Sequence, residues 1–100
     1  MQISFDPTKR ALTLENRGLD FEDARHLFAG VVLTVEDDRK DYGETRYQSI
    51  GLIGSSVVMV VWTPRGTVRH IISMRYCNAK ERSLYQINLD RTGRGSGMDG

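Results

Sequence analysis

The apolar positions of this chain keep a helical rhythm up to about residue 30 and an extended one after it. Ile3 and Phe5 alternate with polar neighbours and predict a short opening strand. Pro7, Ala11 and Leu14, and then Phe21, Ala24, Leu27 and Phe28, return every three or four positions, the spacing that lines one stripe of a helix. Residues 31–35 are β-branched and extended, and residues 46–53 form the next run. Residues 57–62 are apolar at every position, as in a strand covered on both faces and central in its sheet. Residues 68–75 alternate again and lead into a helix beginning at Ala79.

The polar positions punctuate these runs. Asp6 can accept a free backbone N–H at a helix start, and Pro7 suits the first helical position. Gly18 can end that helix in the left-handed conformation, Asp20 caps a second helix, and Gly30 stops it. Gly54-Ser55-Ser56 and Pro64-Arg65-Gly66 are turns short enough to require antiparallel neighbours. Asn78 caps the last helix, with Glu81 in the reciprocal position of a capping box. The expectation is an α+β fold: an N-terminal strand and a helical hairpin packed on an antiparallel sheet, with a C-terminal helix. One hundred residues suit one core, so residues 1–90 are read as a single domain and the Gly-rich residues 91–100 as a flexible tail.

The candidate chemistry gathers on residues 65–85. Under strict alternation Val68, His70, Ile72 and Met74 face one way, while Arg69, Ile71, Ser73 and Arg75 face the other. Two guanidiniums then share a face left open by the helical hairpin, and the helix brings Arg82 and Tyr85 close. Guanidinium matches phosphate in a planar fork and keeps its charge near neutrality, so the cluster predicts a nucleic-acid backbone site.

Charge sharpens this picture by its distribution and not by its sum of +1. Residues 65–94 hold seven Lys or Arg against Glu81 and Asp90, whereas residues 36–44 hold five acids against Arg39 and Lys40. Such asymmetry steers a polyanion to one surface. The lone Cys77 excludes an intrachain disulfide, and no cysteine and histidine spacing suggests zinc. With no leader pattern and no apolar run long enough to span a bilayer, the expectation is a cytoplasmic protein with no membrane partner.

Three separated blocks carry a resemblance. They are Phe5-Asp6-Pro7-x-Lys9 with the run from Asn16 to Ala24, the run from Gly43 through Arg46 to Gly51, and the run from Val68 to Arg75 with Glu81 and Tyr85. In this order they resemble the BrnT family of bacterial type II toxins. The resemblance implies a RelE-like fold, a ribonuclease that cleaves RNA and inhibits translation, and neutralisation by BrnA, a small DNA-binding antitoxin through which the pair reaches operator DNA. It further implies metal-independent cleavage without a cofactor, in which the ribose 2′-hydroxyl attacks the adjacent phosphate. The chain departs from the family at Asn16-Arg17-Gly18, where Lys-His-Gly is usual, and at Met74-Arg75-Tyr76-Cys77, where Ala-Arg-Arg-Ala is common. A second reading therefore stays open: a non-catalytic RNA-binding or antitoxin-binding protein that retains the toxin fold.

On this reading Arg69 and Arg75 bind phosphate and offset the charge that builds in the transition state. Glu81 acts as a base or orients an arginine, although its capping box explains it without any chemistry. Tyr85 stacks on a base or holds a phosphate oxygen, and packing on the sheet would explain it too. Arg46, Arg82, Lys9 and Arg17 are the expected RNA contacts, and no residue is assigned to a metal. His70 is read as lying opposite the arginine face and not as the general base. The antitoxin is expected to neutralise the toxin by covering residues 65–85.

Overall fold

The computed structural model describes residues 2–98, with side chains through Arg91. Five strands form one sheet: β1 (Gln2–Phe5), β2 (Leu33–Glu36), β3 (Tyr47–Ile53), β4 (Ser56–Arg65) and β5 (Val68–Tyr76). The helices are α1 (Pro7–Arg17), α2 (Ala24–Ala29) and α3 (Ala79–Met98), with a 3₁₀ turn at Phe21–Asp23 before α2. The fold is α+β. The expected tail of residues 91–100 falls, apart from Arg91 and the backbone of α3, outside the described residues.

The strand order is β1-β5-β4-β3-β2, which puts the apolar run of β4 in the centre. Strands β2 to β5 are antiparallel neighbours, as the tight turns between β3 and β4 and between β4 and β5 require, while residues 37–46 loop between β2 and β3. The sheet is nevertheless not antiparallel throughout. β1 pairs in parallel with β5, because the helical segment carries the chain from one edge of the sheet to the other before β2 begins.

The helix boundaries follow the caps. Asp6 accepts from the Thr8 N–H at 2.9 Å, Gly18 closes α1 at φ 69°, and Asp20 accepts from the Glu22 N–H at 3.0 Å. The expected stripe of Pro7, Ala11 and Leu14 on α1 is exposed, Leu14 at 46%, and α1 has no buried residue. One face of the sheet is covered instead by Leu19, Phe21, Ala24 and Leu27, which meet Val58, Val60, Trp62, Ile71 and Met74. We call this the helical face. On the opposite face α3 lays Tyr85 and Leu89 over Ile50, Met59, Val57 and Leu33, and Thr63 is buried with its hydroxyl donating to the Thr45 carbonyl; Val61, His70, Ser73 and Arg75 keep part of their surface exposed, and we call this the open face.

Gly51 lets α2 sit this close. A Cβ on Gly51 would lie 2.8 Å from Leu27 Cγ and 3.1 Å from its Cδ2, inside contact distance in a packed core. Gly51→Ala is therefore expected to destabilise the protein by about 1–2 kcal/mol, read as a fall in Tm of roughly 4–8 °C per kcal/mol. An unchanged Tm would mean that α2 rides further from β3 than these distances say.

Candidate functional site

The geometry of the candidate site turns on one extra residue in β5. Val61 pairs with Ser73 but Trp62 pairs with Ile71, so Ile72 has no partner on β4 and the strand carries a bulge. Alternation therefore slips by one. Ile71 and Met74, three positions apart, both point into the core beneath α2, with 1% and 0% exposure. Arg69 lies on that same helical face, while His70, Ser73 and Arg75 lie on the open one, with Arg75 opposite Met59. The expectation that Arg69 and Arg75 share a face is thus corrected: the sheet stands between them. The same slip places His70 on the face of Arg75, against the sequence reading.

Arg75 is held by Glu81 in a two-pronged pair, Nη1 to Oε1 at 2.8 Å and Nη2 to Oε2 at 2.7 Å. Its Nη2 also lies 3.3 Å from Met59 Sδ. Glu81 simultaneously completes the capping box, accepting from the Asn78 N–H and donating its own N–H to Asn78 Oδ1, each at 2.9 Å. The Arg75 guanidinium, with the Asn78 N–H behind it, holds the Glu81 carboxyl down at about 2. Both forks are occupied by protein and the two charges cancel.

Tyr85 is buried, and its hydroxyl donates to the Val31 carbonyl at 2.8 Å, so it ties α3 to the segment that leads from α2 into β2. Burial raises its pKa. Arg82 donates to the Cys77 carbonyl at 2.8 Å and lines a cavity of about 500 Å³ with Leu52, Val57 and Leu89. Arg17 reaches across to the Met74 carbonyl at 2.6 Å. Arg46 lies 4.0 Å over the Tyr42 ring and donates to Glu44 at 3.2 Å, and Lys9 is exposed on α1. The eight candidate residues are therefore dispersed over both faces and two ends of the sheet. Cys77 is buried, which lifts its thiol to about 11 and leaves no thiolate near neutrality.

A different group converges at the β1 end of the open face. His70 is half-buried, and Ser4 of β1, its register partner, places Oγ 2.8 Å from His70 Nδ1. No hydrogen bond occupies Nε2 among the described residues. Burial lowers the His70 pKa, Arg65 and Lys9 lower it further, and Glu44 and Asp6 oppose them. Glu44 also links Arg46 at 3.2 Å with Arg65 at 3.8 Å. A neutral imidazole beside Lys9 and the Arg65–Glu44–Arg46 chain is thus available on a part-exposed surface. The sequence signal for this group was the histidine itself and the Ser4 that a parallel β1 sets beside it.

Among the described residues no cluster of His, Cys, Asp and Glu is arranged to hold a metal ion, and no helix is long and apolar enough to cross a membrane. No curated protein matches the chain. A protein family described as "Ribonuclease toxin, BrnT, of type II toxin-antitoxin system" matches residues 5–81, from the end of β1 to the capping box of α3. That span holds every strand of the sheet from β2 on, together with Lys9, Arg46 and the bulged β5. The chain accordingly belongs to the BrnT family, the ribonuclease toxins of type II toxin-antitoxin systems, with RNA as its target class and an antitoxin as its partner.

Proposed function

We propose that this toxin is a metal-independent endoribonuclease of RelE-like fold that inhibits translation by cutting RNA laid across the open face of its sheet. The observation that carries this reading is the His70 group. Lys9 and Arg65 attract the phosphate, and Arg46, linked through Glu44, extends the cationic surface along the strand ends. With Nδ1–H donating to Ser4 Oγ, His70 Nε2 holds a free lone pair and accepts the proton of the ribose 2′-hydroxyl. The 2′-oxygen then bonds to phosphorus, the bond to the 5′-oxygen breaks, and that oxygen takes a proton from solvent. Lys9 and Arg65 offset the charge that develops on the phosphoryl oxygens. The product ends are a 2′,3′-cyclic phosphate and a 5′-hydroxyl.

Arg75 and Glu81 serve this site as a brace. Their pair fixes the far end of β5 against α3, and with it the open face on which His70 stands. Neutralisation falls to a BrnA-like antitoxin, which carries the operator-DNA contact for the complex, and the pair acts in the cytoplasm.

Incubating the purified toxin with RNA in the presence and absence of EDTA tests the reaction. Cleavage is expected to be equal in both, with cyclic phosphate on the upstream fragment. Loss of cleavage with EDTA would overturn metal independence, and a 3′-hydroxyl end would rule out internal attack. RNA retention that weakens with salt, with no cleavage at all, would select the non-catalytic reading instead.

A further inference from the structure

Arg69 lies on the helical face, away from the His70 group, and its surroundings are those of an unfinished ion pair. Its guanidinium carbon lies 4.1 Å from the centre of the Phe28 ring and 5.0 Å from that of Trp62, so aromatic faces hold the planar head in place. Its Nε is buried with no hydrogen-bond partner, and neither terminal nitrogen has one among the described residues. Guanidinium carries five donors and no acceptor, and a buried donor left unpaired is costly. Burial accordingly pulls its pKa down from the ordinary guanidinium value. Beside it is a cavity of about 220 Å³ lined by Ile3, Arg25, Phe28, Ala29 and Arg69. Apolar walls, one fixed fork and a second arginine at the rim are a receptor for an anion on an apolar stem.

We propose that this pocket receives a carboxylate side chain of the antitoxin, an aspartate or glutamate that completes the Arg69 fork. The proposal rests on the partner that family membership gives and not on the cleavage chemistry. A carboxylate fits where RNA does not. The acidic turn at Phe21–Asp23 stands beside the pocket, with Glu22 on Arg25 at 3.2 Å, Asp23 within 4.0 Å of His26, and Asp20 on Arg10 at 2.8 Å. A polyanion crossing this surface meets those acids in succession, whereas a single side chain entering the pocket meets the two guanidiniums. The two surfaces also divide the work: the antitoxin anchors on the helical face, and RNA occupies the open one.

The side-chain Nε–Hε resonance of Arg69 in the ¹⁵N-labelled toxin reports directly on the pocket. Titration with glutarate is expected to move it saturably, and binding of the cognate antitoxin should move it in the same direction and block the glutarate response. A 2′-O-methylated RNA oligonucleotide, which cannot be cleaved, is expected to leave it unmoved. Arg69→Gln, which keeps a flat polar head but no charge, should weaken the antitoxin complex at least about thirtyfold, the lower range for losing one partner of a desolvated charge pair. A resonance that ignores both glutarate and antitoxin, or one that RNA displaces, would overturn the proposal. The resonance is measured on the unaltered toxin, so the outcome stands even if Arg69→Gln folds poorly. It stands equally if no cleavage is found, because neither readout uses catalysis.

Discussion

His70→Gln is expected to lower the rate of RNA cleavage by about 10²–10⁴-fold, the usual contribution of a positioned general base. The substitution is chosen to leave the local structure standing. Glutamine keeps a flat polar head of similar length, but it cannot accept a proton near neutrality. The pH dependence separates chemistry from packing. Burial first, then Arg65 and Lys9, hold the His70 pKa below its ordinary value of 6.5. The basic form therefore dominates at neutral pH, and kcat/KM should rise with pH along a limb centred below 6.5. In the variant that limb should vanish along with the rate. Full cleavage with an unchanged profile in His70→Gln would remove His70 from the reaction, and the base would have to be sought elsewhere on the open face.

The face on which His70 stands shows where a sequence stops being readable. Helix starts were legible where they depend on one or two adjacent residues: Asp6 with Pro7 and Asn78 with Glu81 cap as their side chains dictate, whereas Asp20 caps the 3₁₀ turn and α2 begins only after Asp23, which makes no side-chain cap. The centre of the sheet was legible too, since only a strand covered on both faces is apolar at every position from 57 to 62. The bulge was not. Arg69 to Arg75 alternates plausibly in two ways, and the choice between them is made on β4, where Trp62 takes Ile71 and Val61 takes Ser73. The adjacent isoleucines 71 and 72 were the only local trace, because an unbroken alternation would put one of them in the core and the other outside. One unpaired residue then moved Arg75 to the opposite face from Arg69, and the predicted arginine cluster with it. The stripe on α1 failed for a related reason. Its spacing announces a helix with an apolar side, but whether anything covers that side depends on the path from Gly18 to Phe21, where Leu19 and Phe21 take the place on the sheet.

The largest stability effect is expected at Glu81. One carboxylate there serves two structures, the fork of Arg75 on β5 and the backbone N–H of Asn78 at the start of α3. Glu81→Ala removes both at once. Loss of the helix cap costs about 1 kcal/mol. The guanidinium left beside Met59 without a partner adds about 2 kcal/mol, less than the 3–5 kcal/mol for a fully buried pair, because water still reaches Arg75. The expected total is about 3 kcal/mol. Acid should reproduce much of this in the unaltered protein. The Glu81 carboxyl sits at about 2 in the folded chain against 4.5 for the free group, so its stabilisation is fully present above 4.5 and is lost as pH falls from there towards 2. Glu81→Gln, which has no such proton to take up, should be less stable at pH 7 and show a shallower loss across that window. Replacing both partners, as Arg75→Met with Glu81→Gln, should cost less than Glu81→Ala alone, since no unpaired guanidinium remains. Denaturant melts of the four proteins at pH 7 and through the acid window decide the matter. If Glu81→Gln loses stability in acid as steeply as the unaltered chain, the pair is not what holds β5 to α3.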